Sequence, residues 1–254
     1  MAFAQVIPNH TDPSAFEDVF DVSQIKAVRF LTTADFPPFN FRDSTGELVG
    51  YNIDLSEAIC AEIEIECTMQ SWPWNQIESA LSDNQGDAAI AGIMIDVAHA
   101  QTFEFSNVYM KLPGRFVAKR SAPLLNHFDP HQTQVPIGVR RGSTHAQFLS
   151  DHFANMTPIL FDSDLAVLDA LQSGVIDVAF GDGMRLSFWL NQKDCCSFVD
   201  GPYFDGKLFG SGMSIAVRSG ENNVRRALNI ALDRLGKSGR LDELYLKWFP
   251  VGFY

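Results

Sequence analysis

TTADFPPFNF at residues 32–41, running into GELVGYNIDLSEAI at 46–59, starts almost like IGVRRGSTHAQFL at 137–149, and this pair of stretches decides the fold. Each is a short apolar run that enters a turn and then a helix, an arrangement that presents backbone N–H groups and side chains at one lip of a cleft. Phe36-Pro37-Pro38-Phe39 cannot belong to a central strand, because proline donates no ladder hydrogen bond, so the chain crosses the top of a sheet there. Downstream the period lengthens. Leu55, Ala58, Ile59 and Glu62 predict a helix over 53–63 laid against a sheet, with Asp54 or Asn52 as its cap.

Outward from these segments the chain reads as alternating strands and helices. Strands are predicted over 28–32, 65–69, 88–95, 114–118, 135–139, 159–161 and 178–180, and helices over 74–81, 145–153, 164–173 and 184–191. IESALSDNQGDAAIAG (77–92) is echoed by VLDALQSGVIDVAFGD (167–182): a helix, a glycine-bearing turn, an aspartate, an apolar strand, then the cleft. That is an internal structural repeat. LFGSGMSIAV (208–217) crosses back, and amphipathic helices over 222–235 and 240–248 return to the first half. The expected fold is α/β with two lobes. Residues 25–115 and 213–254 form lobe 1, residues 116–212 form an inserted lobe 2, and residues 1–24 are a lead-in arm. Two crossings near 115 and 212 serve as hinge strands.

Composition bounds the function. The chain of 254 residues is 46% hydrophobic, enough for two lobes with real cores, and its 31 acidic against 19 basic residues argue against a nucleic-acid binder. Each apolar run is broken by charge, Pro or Gly before the roughly 20 residues a bilayer span needs. Ala2-Phe3-Ala4 before Gln5 matches the end of a secretory signal, and equally an ordinary short terminus. Cys60 and Cys67 lie where a helix ends and a strand begins, so the returning strand can bring the two sulfurs within disulfide reach. Adjacent Cys195 and Cys196 are expected to be reduced or separately buried. No cysteine has metal-ligand spacing, His10, His127 and His131 lie in loops without a second ligand, and His145 and His152 are expected to face solvent or loops. Neither a metal nor a cofactor is expected.

The strings FPPFNFRDSTGELVGYNIDLSEAI, GDAAIAG, FSNVY, GVRRGST, GVIDVAFGDG and SGRLDELYLKWFP, in this order, resemble the family 3 periplasmic solute-binding proteins, the amino-acid receptors of ABC importers. The resemblance runs from about Ile25 to Trp248 and implies the periplasmic binding protein type II fold. Cys60 and Cys67 resemble a disulfide of its basic-amino-acid receptors. In that family the ligand sits between the lobes. The resemblance puts the covering ring at Phe36 and the ligand-contacting stretch at Ala91, Gly92 and Met94. It matches Ser143 and Thr144 to the carboxylate-binding helix start and Asp182 to the acid that takes the α-ammonium. Where the family has a carboxylate-binding arginine, this chain has His99, which cannot reliably grip a carboxylate through two parallel charged bonds. Arg140 either supplies the lost charge from the second lobe or is a solvated strand-end residue, the latter reading being stronger for Arg141. Of two further aromatics at the cleft edge, Trp72 is the expected ligand contact and Trp74 the expected packing residue.

The expected function is capture of a small, amine-bearing, amino-acid-like solute by an exported monomer that delivers it to ABC permease membrane subunits. Two rivals remain open. Some members of the fold resemble cyclohexadienyl (arogenate or prephenate) dehydratases, for which Asp182 and His99 can be cast as an acid pair. A ligand-binding sensor domain of a membrane protein is the other.

Overall fold

The computed structural model describes residues 8, 20–93, 95, 99–122, 128–132 and 135–254. Ala2, Phe3, Ala4, most of the expected arm, His10, His127 and Met94 lie outside the described residues.

In chain order, β1 (Ala27–Thr32) leads to a small antiparallel sheet of β2 (Asp35–Phe36), β3 (Asn40–Arg42) and β4 (Leu48–Val49). Then come α1 (Tyr51–Glu62), β5 (Glu66–Ser71), a 3-10 turn Trp74–Gln76, α2 (Ile77–Ser82), β6 (Ala88–Ala89) and β7 (Phe103–Phe105). A second series follows: β8 (Gly114–Lys119), β9 (Pro136–Arg140), α3 (Thr144–His152), β10 (Thr157–Phe161), α4 (Asp164–Ser173), β11 (Val178–Asp182), α5 (Gly183–Asn191) and β12 (Cys196–Tyr203). The last elements are β13 (Ala216–Arg218), α6 (Asn222–Lys237) and α7 (Arg240–Trp248).

The described chain divides into two compact units, one of Pro8–Lys111 with Ser211–Trp248, the other of Leu112–Gly210 with Phe249–Tyr254. The first unit carries a sheet in the order β5-β1-β6-β13-β7. Its short central strands are buried: Phe30, Leu31, Ala88, Ala89 and Ala216 are wholly inaccessible, as strands covered on both faces require. The helix α2 packs against β1, β6 and β13, whereas α1 packs against β5, α6 and α7. On α6, Val224, Ala227, Leu228, Ala231, Leu232 and Leu235 are buried, the stripe its three-and-four spacing predicts.

The second unit's sheet has the order β10-β9-β11-β8-β12, with β9 parallel to both neighbours and β8 antiparallel to β11 and β12. Alternation along the strands splits the core in two. Phe116, Ile137, Val139, Val178 and Phe180 pack with Phe148 and Leu149 of α3, while Val117 and Ala179 pack with Val167, Leu171, Leu186 and Leu190 of α4 and α5. The closing segment also belongs to this unit. Phe249 lies edge-on to Phe253 at 5.0 Å and 6.0 Å from Phe188, and the Phe253 carbonyl accepts from Arg115 Nη1 at 3.3 Å.

Several sequence expectations need correction. Neither Asn52 nor Asp54 caps α1, whose first residue is preceded by Gly50 without a side-chain cap. Asn52 is instead buried and donates to Asn40 Oδ1 at 2.7 Å, while Asp54 Oδ2 accepts from Lys247 Nζ and Trp248 Nε1, each at 2.6 Å. The strand expected over 88–95 is cut to two residues, because Gly92 at φ +77° turns the chain out of the sheet. Cys195 and Cys196, expected to be apart, are joined. The turn entering β12 is held by Arg120, whose backbone N–H donates to the Cys195 carbonyl at 2.8 Å and whose Nε donates to that of Cys196 at 3.1 Å, and this fixed turn sets the two side chains together.

Cys60 is joined to Cys67, linking the last turn of α1 to β5 across a Cα separation of 6.2 Å. With no free cysteine among the described residues, mass measurement after alkylation without reductant is expected to add no label. Replacing both Cys60 and Cys67 by serine should lower unfolding stability by about 2 kcal/mol in denaturant titration, the size a short closed loop gives. A loss of under about 0.5 kcal/mol would show that the bond constrains nothing in the unfolded chain.

Candidate functional site

Parallel pairing puts the carboxyl ends of β9, β10 and β11 at one edge of the second unit's sheet, and each strand runs directly into a helix. All three helix starts are capped. Ser143 Oγ accepts from Ala146 N at 3.1 Å, Ser163 Oγ from Ala166 N at 3.1 Å, and Asp182 Oδ1 from Arg185 N at 2.7 Å. Ser143 is further held by donating to the Arg140 carbonyl at 2.7 Å, and the exposed Thr144 opens α3 beside it. Loss of solvent is the largest influence on Asp182 and raises its pKa, against the backbone N–H groups of Arg185 and Met184. Arg140 Nη1 donates to Asp164 Oδ2 at 3.2 Å, whereas Arg141 turns to Asp162 at 3.2 Å and is mostly exposed.

His145 was not foreseen as part of this edge. Its ring is stacked on Phe209 at 4.7 Å and lies edge-on to Phe180 at 5.8 Å. Burial pushes its pKa down to about 4, with Arg140 and Arg185 adding to the effect and Asp164 opposing it. A histidine among phenylalanines follows the helix period that also buries Phe148 and Leu149, and that period was the available signal.

In the first unit, Phe36 stacks on the buried Phe39 at 5.0 Å and 23°. Gly92 lies beneath the ring: a Cβ there would come within 2.6 Å of Phe36 Cε1. Ala91 is buried in the core with Leu31, Ile77 and Ile93, and the half-buried Trp72 packs against that cluster. Trp74, expected to be a packing residue, is instead 53% exposed. His99 Nε2 lies 3.0 Å from Glu78 Oε1 on α2. The structure brings Phe36 and Gly92 into contact, gathers Ala91 and Trp72 in one cluster, and gives His99 an acidic partner within its own unit.

A buried amide network missed by sequence reasoning holds the Phe36 loop. Asn40 Nδ2 donates to Thr33 Oγ1 at 2.7 Å, Asn52 Nδ2 to Asn40 Oδ1 at 2.7 Å, and the Tyr109 hydroxyl to Asn52 Oδ1 at 3.0 Å. Burial raises the Tyr109 pKa far above that of a free phenol, so the hydroxyl stays a donor.

The chain is a two-lobed solute-binding protein of the amino-acid type that works with an ABC permease. Residues 28–251 match the bacterial extracellular solute-binding proteins, family 3, and the chain belongs to that family. Among curated relatives, the L-arginine-binding protein of Pseudomonas aeruginosa is 29% identical over 237 residues, covering 90% of this chain and 90% of its own. Among solved structures, the L-cystine solute receptor of Neisseria gonorrhoeae in its unliganded open conformation shares 16% identity at a TM-score of 0.78, over 91% of this chain and 96% of that one. An ancestral cyclohexadienyl dehydratase superposes with a TM-score of 0.75 at 19% identity, over 90% and 95% of the two chains. At that identity the likeness is one of fold alone, and the family is one of binding proteins.

Two measurements follow. Gly92→Ala must adopt a left-handed backbone and displace the Phe36 ring, so denaturant titration should show a loss of about 1–3 kcal/mol; an unchanged midpoint would mean that the ring is not seated on Gly92. For His145 the folded pKa lies below the unfolded value of 6.5, so the stability held by the neutral ring is full above that value and is lost as pH falls toward 4. His145→Phe, which keeps the aromatic stack, should therefore lose less stability between neutral pH and about pH 4.5 than the unmodified protein does. Equal losses would remove His145 as the cause.

Proposed function

We propose that this receptor is exported with its leader removed, acts as a monomer, and captures a solute whose basic nitrogen pairs with Asp182. The observation that carries this reading is the half-buried Asp182 carboxylate at the end of β11, beside the start of α3, where burial raises its pKa against the pull of Arg185. The capped start of α3, with Ser143 and Thr144, suits the acidic end of the same solute, and Arg140 supplies positive charge beside it. Phe36 offers an aromatic face to the solute's body, and Ala91 and Gly92 make the first-unit wall less polar than hydroxyl-bearing residues would. His99, held by Glu78, is the weaker candidate for a carboxylate partner. An arginine-binding relative of the same family adds support for a cationic amino acid or a close analogue. The two disulfides suit an oxidising compartment.

Asp182→Asn is the decisive variant, because asparagine caps a helix as well as aspartate but carries no charge. In calorimetry against an amine-bearing amino acid found by thermal-shift screening, it should weaken binding by about 2–5 kcal/mol. The same variant should stabilise the empty protein. With its folded pKa raised, Asp182 contributes full stability only below its unfolded pKa, and that contribution is lost as pH rises through the folded value. At neutral pH the empty variant is therefore expected to melt about 2–4 °C higher, the size of about 1 kcal/mol in a chain of this length. Undiminished binding, or a tight ligand without a basic nitrogen, would overturn the reading.

A further inference from the structure

One cluster in the second unit is not needed by the capping scheme. Asp164 stands on the first turn of α4, which Ser163 already caps, and its Oδ2 accepts from two guanidinium groups: Arg140 Nη1 at 3.2 Å and Arg185 Nη1 at 3.1 Å. The three residues come from three neighbouring strand ends. Arg140 closes the central strand β9, Asp164 follows β10 on one side, and Arg185 lies in the first turn of α5 after β11 on the other. Two positive charges thus share one oxygen of one carboxylate.

This arrangement is a poor way to stabilise a fold. The side chains of Arg140 and Arg185 are 46% and 63% exposed, and exposed ion pairs contribute little. A single arginine would satisfy Asp164, and the second adds like-charge repulsion. Each guanidinium has five N–H donors, and among the described residues each spends one on Asp164. The remaining donors belong to a trio, the two arginines with Asp164, of one net positive charge, at an edge where three helices begin and their dipoles favour an anion further. His145 beside them is neutral near pH 7 and adds no charge, and Asp182 is an acid that feels both Arg185 and Asp164.

We propose that Arg140 and Arg185 together read the anionic group of the solute, that Asp164 occupies them as an internal stand-in for that group, and that Arg185 sets the preference for acid-bearing solutes over their neutral analogues. A carboxylate has two oxygens and can take one N–H from each guanidinium, which gives from two side chains the grip that one buried arginine gives with its fork. Asp164 then acts as a competitor for the donors as well as their spacer. The inference rests on the reading that the solute's amine pairs with Asp182.

The experiment uses L-arginine and L-histidine as probes, each beside its carboxamide, which keeps the α-amine and removes the acid. Affinities are measured by calorimetry on the full chain, on Arg185→Gln and on Asp164→Asn, with Asp182→Asn as the control for the amine. Arg185→Gln is expected to weaken the acids about tenfold and leave the amides nearly unchanged, and Asp164→Asn to tighten the acids about threefold. An Arg185→Gln loss below about threefold for the acid, or an equal loss for acid and amide, overturns the inference. So does weaker acid binding by Asp164→Asn, which would make Asp164 a spacer alone. Should Asp182→Asn bind both forms as well as the unmodified protein does, the amine reading fails on its own, and a selective Arg185→Gln loss would still stand. If no probe binds the unmodified protein at millimolar concentration, both are overturned.

Discussion

Parallel pairing of Pro136–Arg140 with strands on both sides is the constraint from which the second unit's chemistry follows. Parallel strands bring all their carboxyl ends to one edge, and each end must hand the chain to a helix running back. Three sets of unpaired helix N–H groups therefore meet there, and the residues that satisfy them, Ser143, Ser163 and Asp182, are placed by the fold before any ligand is considered. The antiparallel β8 and β12 complete the other side of the sheet and offer no such edge of helix starts. Capping groups collect where backbone geometry already concentrates positive potential.

The first unit reaches a fixed platform by another route. The chain between β1 and α1 holds two prolines and only the short strands β2, β3 and β4, and buried side-chain hydrogen bonds add to their backbone pairing in fixing its position. Thr33, Asn40, Asn52 and Tyr109 form a chain of buried donors and acceptors beneath it. Such a network rigidifies because every missed bond leaves a desolvated polar atom. Phe36 is thus set against both Phe39 and Gly92.

Much of this was legible in the sequence wherever a local rule acted alone. The strand-turn-helix repeat, the amphipathic stripe of α6 and the Cys60–Cys67 spacing each depend on neighbours within a few turns. Placements decided by distant residues were not legible. Asn52 looked like a cap because nothing local shows that Asn40 will reach it, and Asp54 is claimed by Trp248, which lies 194 residues away. The strand β12 went unseen since its residues are nearly all half-buried and show no alternation, with a glycine and a proline near its end. Of the candidate site, Ser143, Thr144 and Asp182 were named from the family resemblance without their capping bonds, whereas Arg185 matches no motif, and its setting comes from a carboxylate on another helix.

The strand order of the first unit also bears on how the chain comes to exist. β13 lies between β6 and β7, so residues 103–105 have no sheet partner until residues 216–218 are made. The whole stretch Leu112–Gly210 leaves the ribosome in between, with its own complete five-stranded sheet. Synthesis order therefore delivers the inserted sheet before the first unit's sheet can close, and leaves both units incomplete until nearly the end of translation, the first lacking β13 beside β6 and the second lacking Phe249–Tyr254. A polypeptide built in this way holds off its own completion, since each unit waits for residues made after the other's sheet.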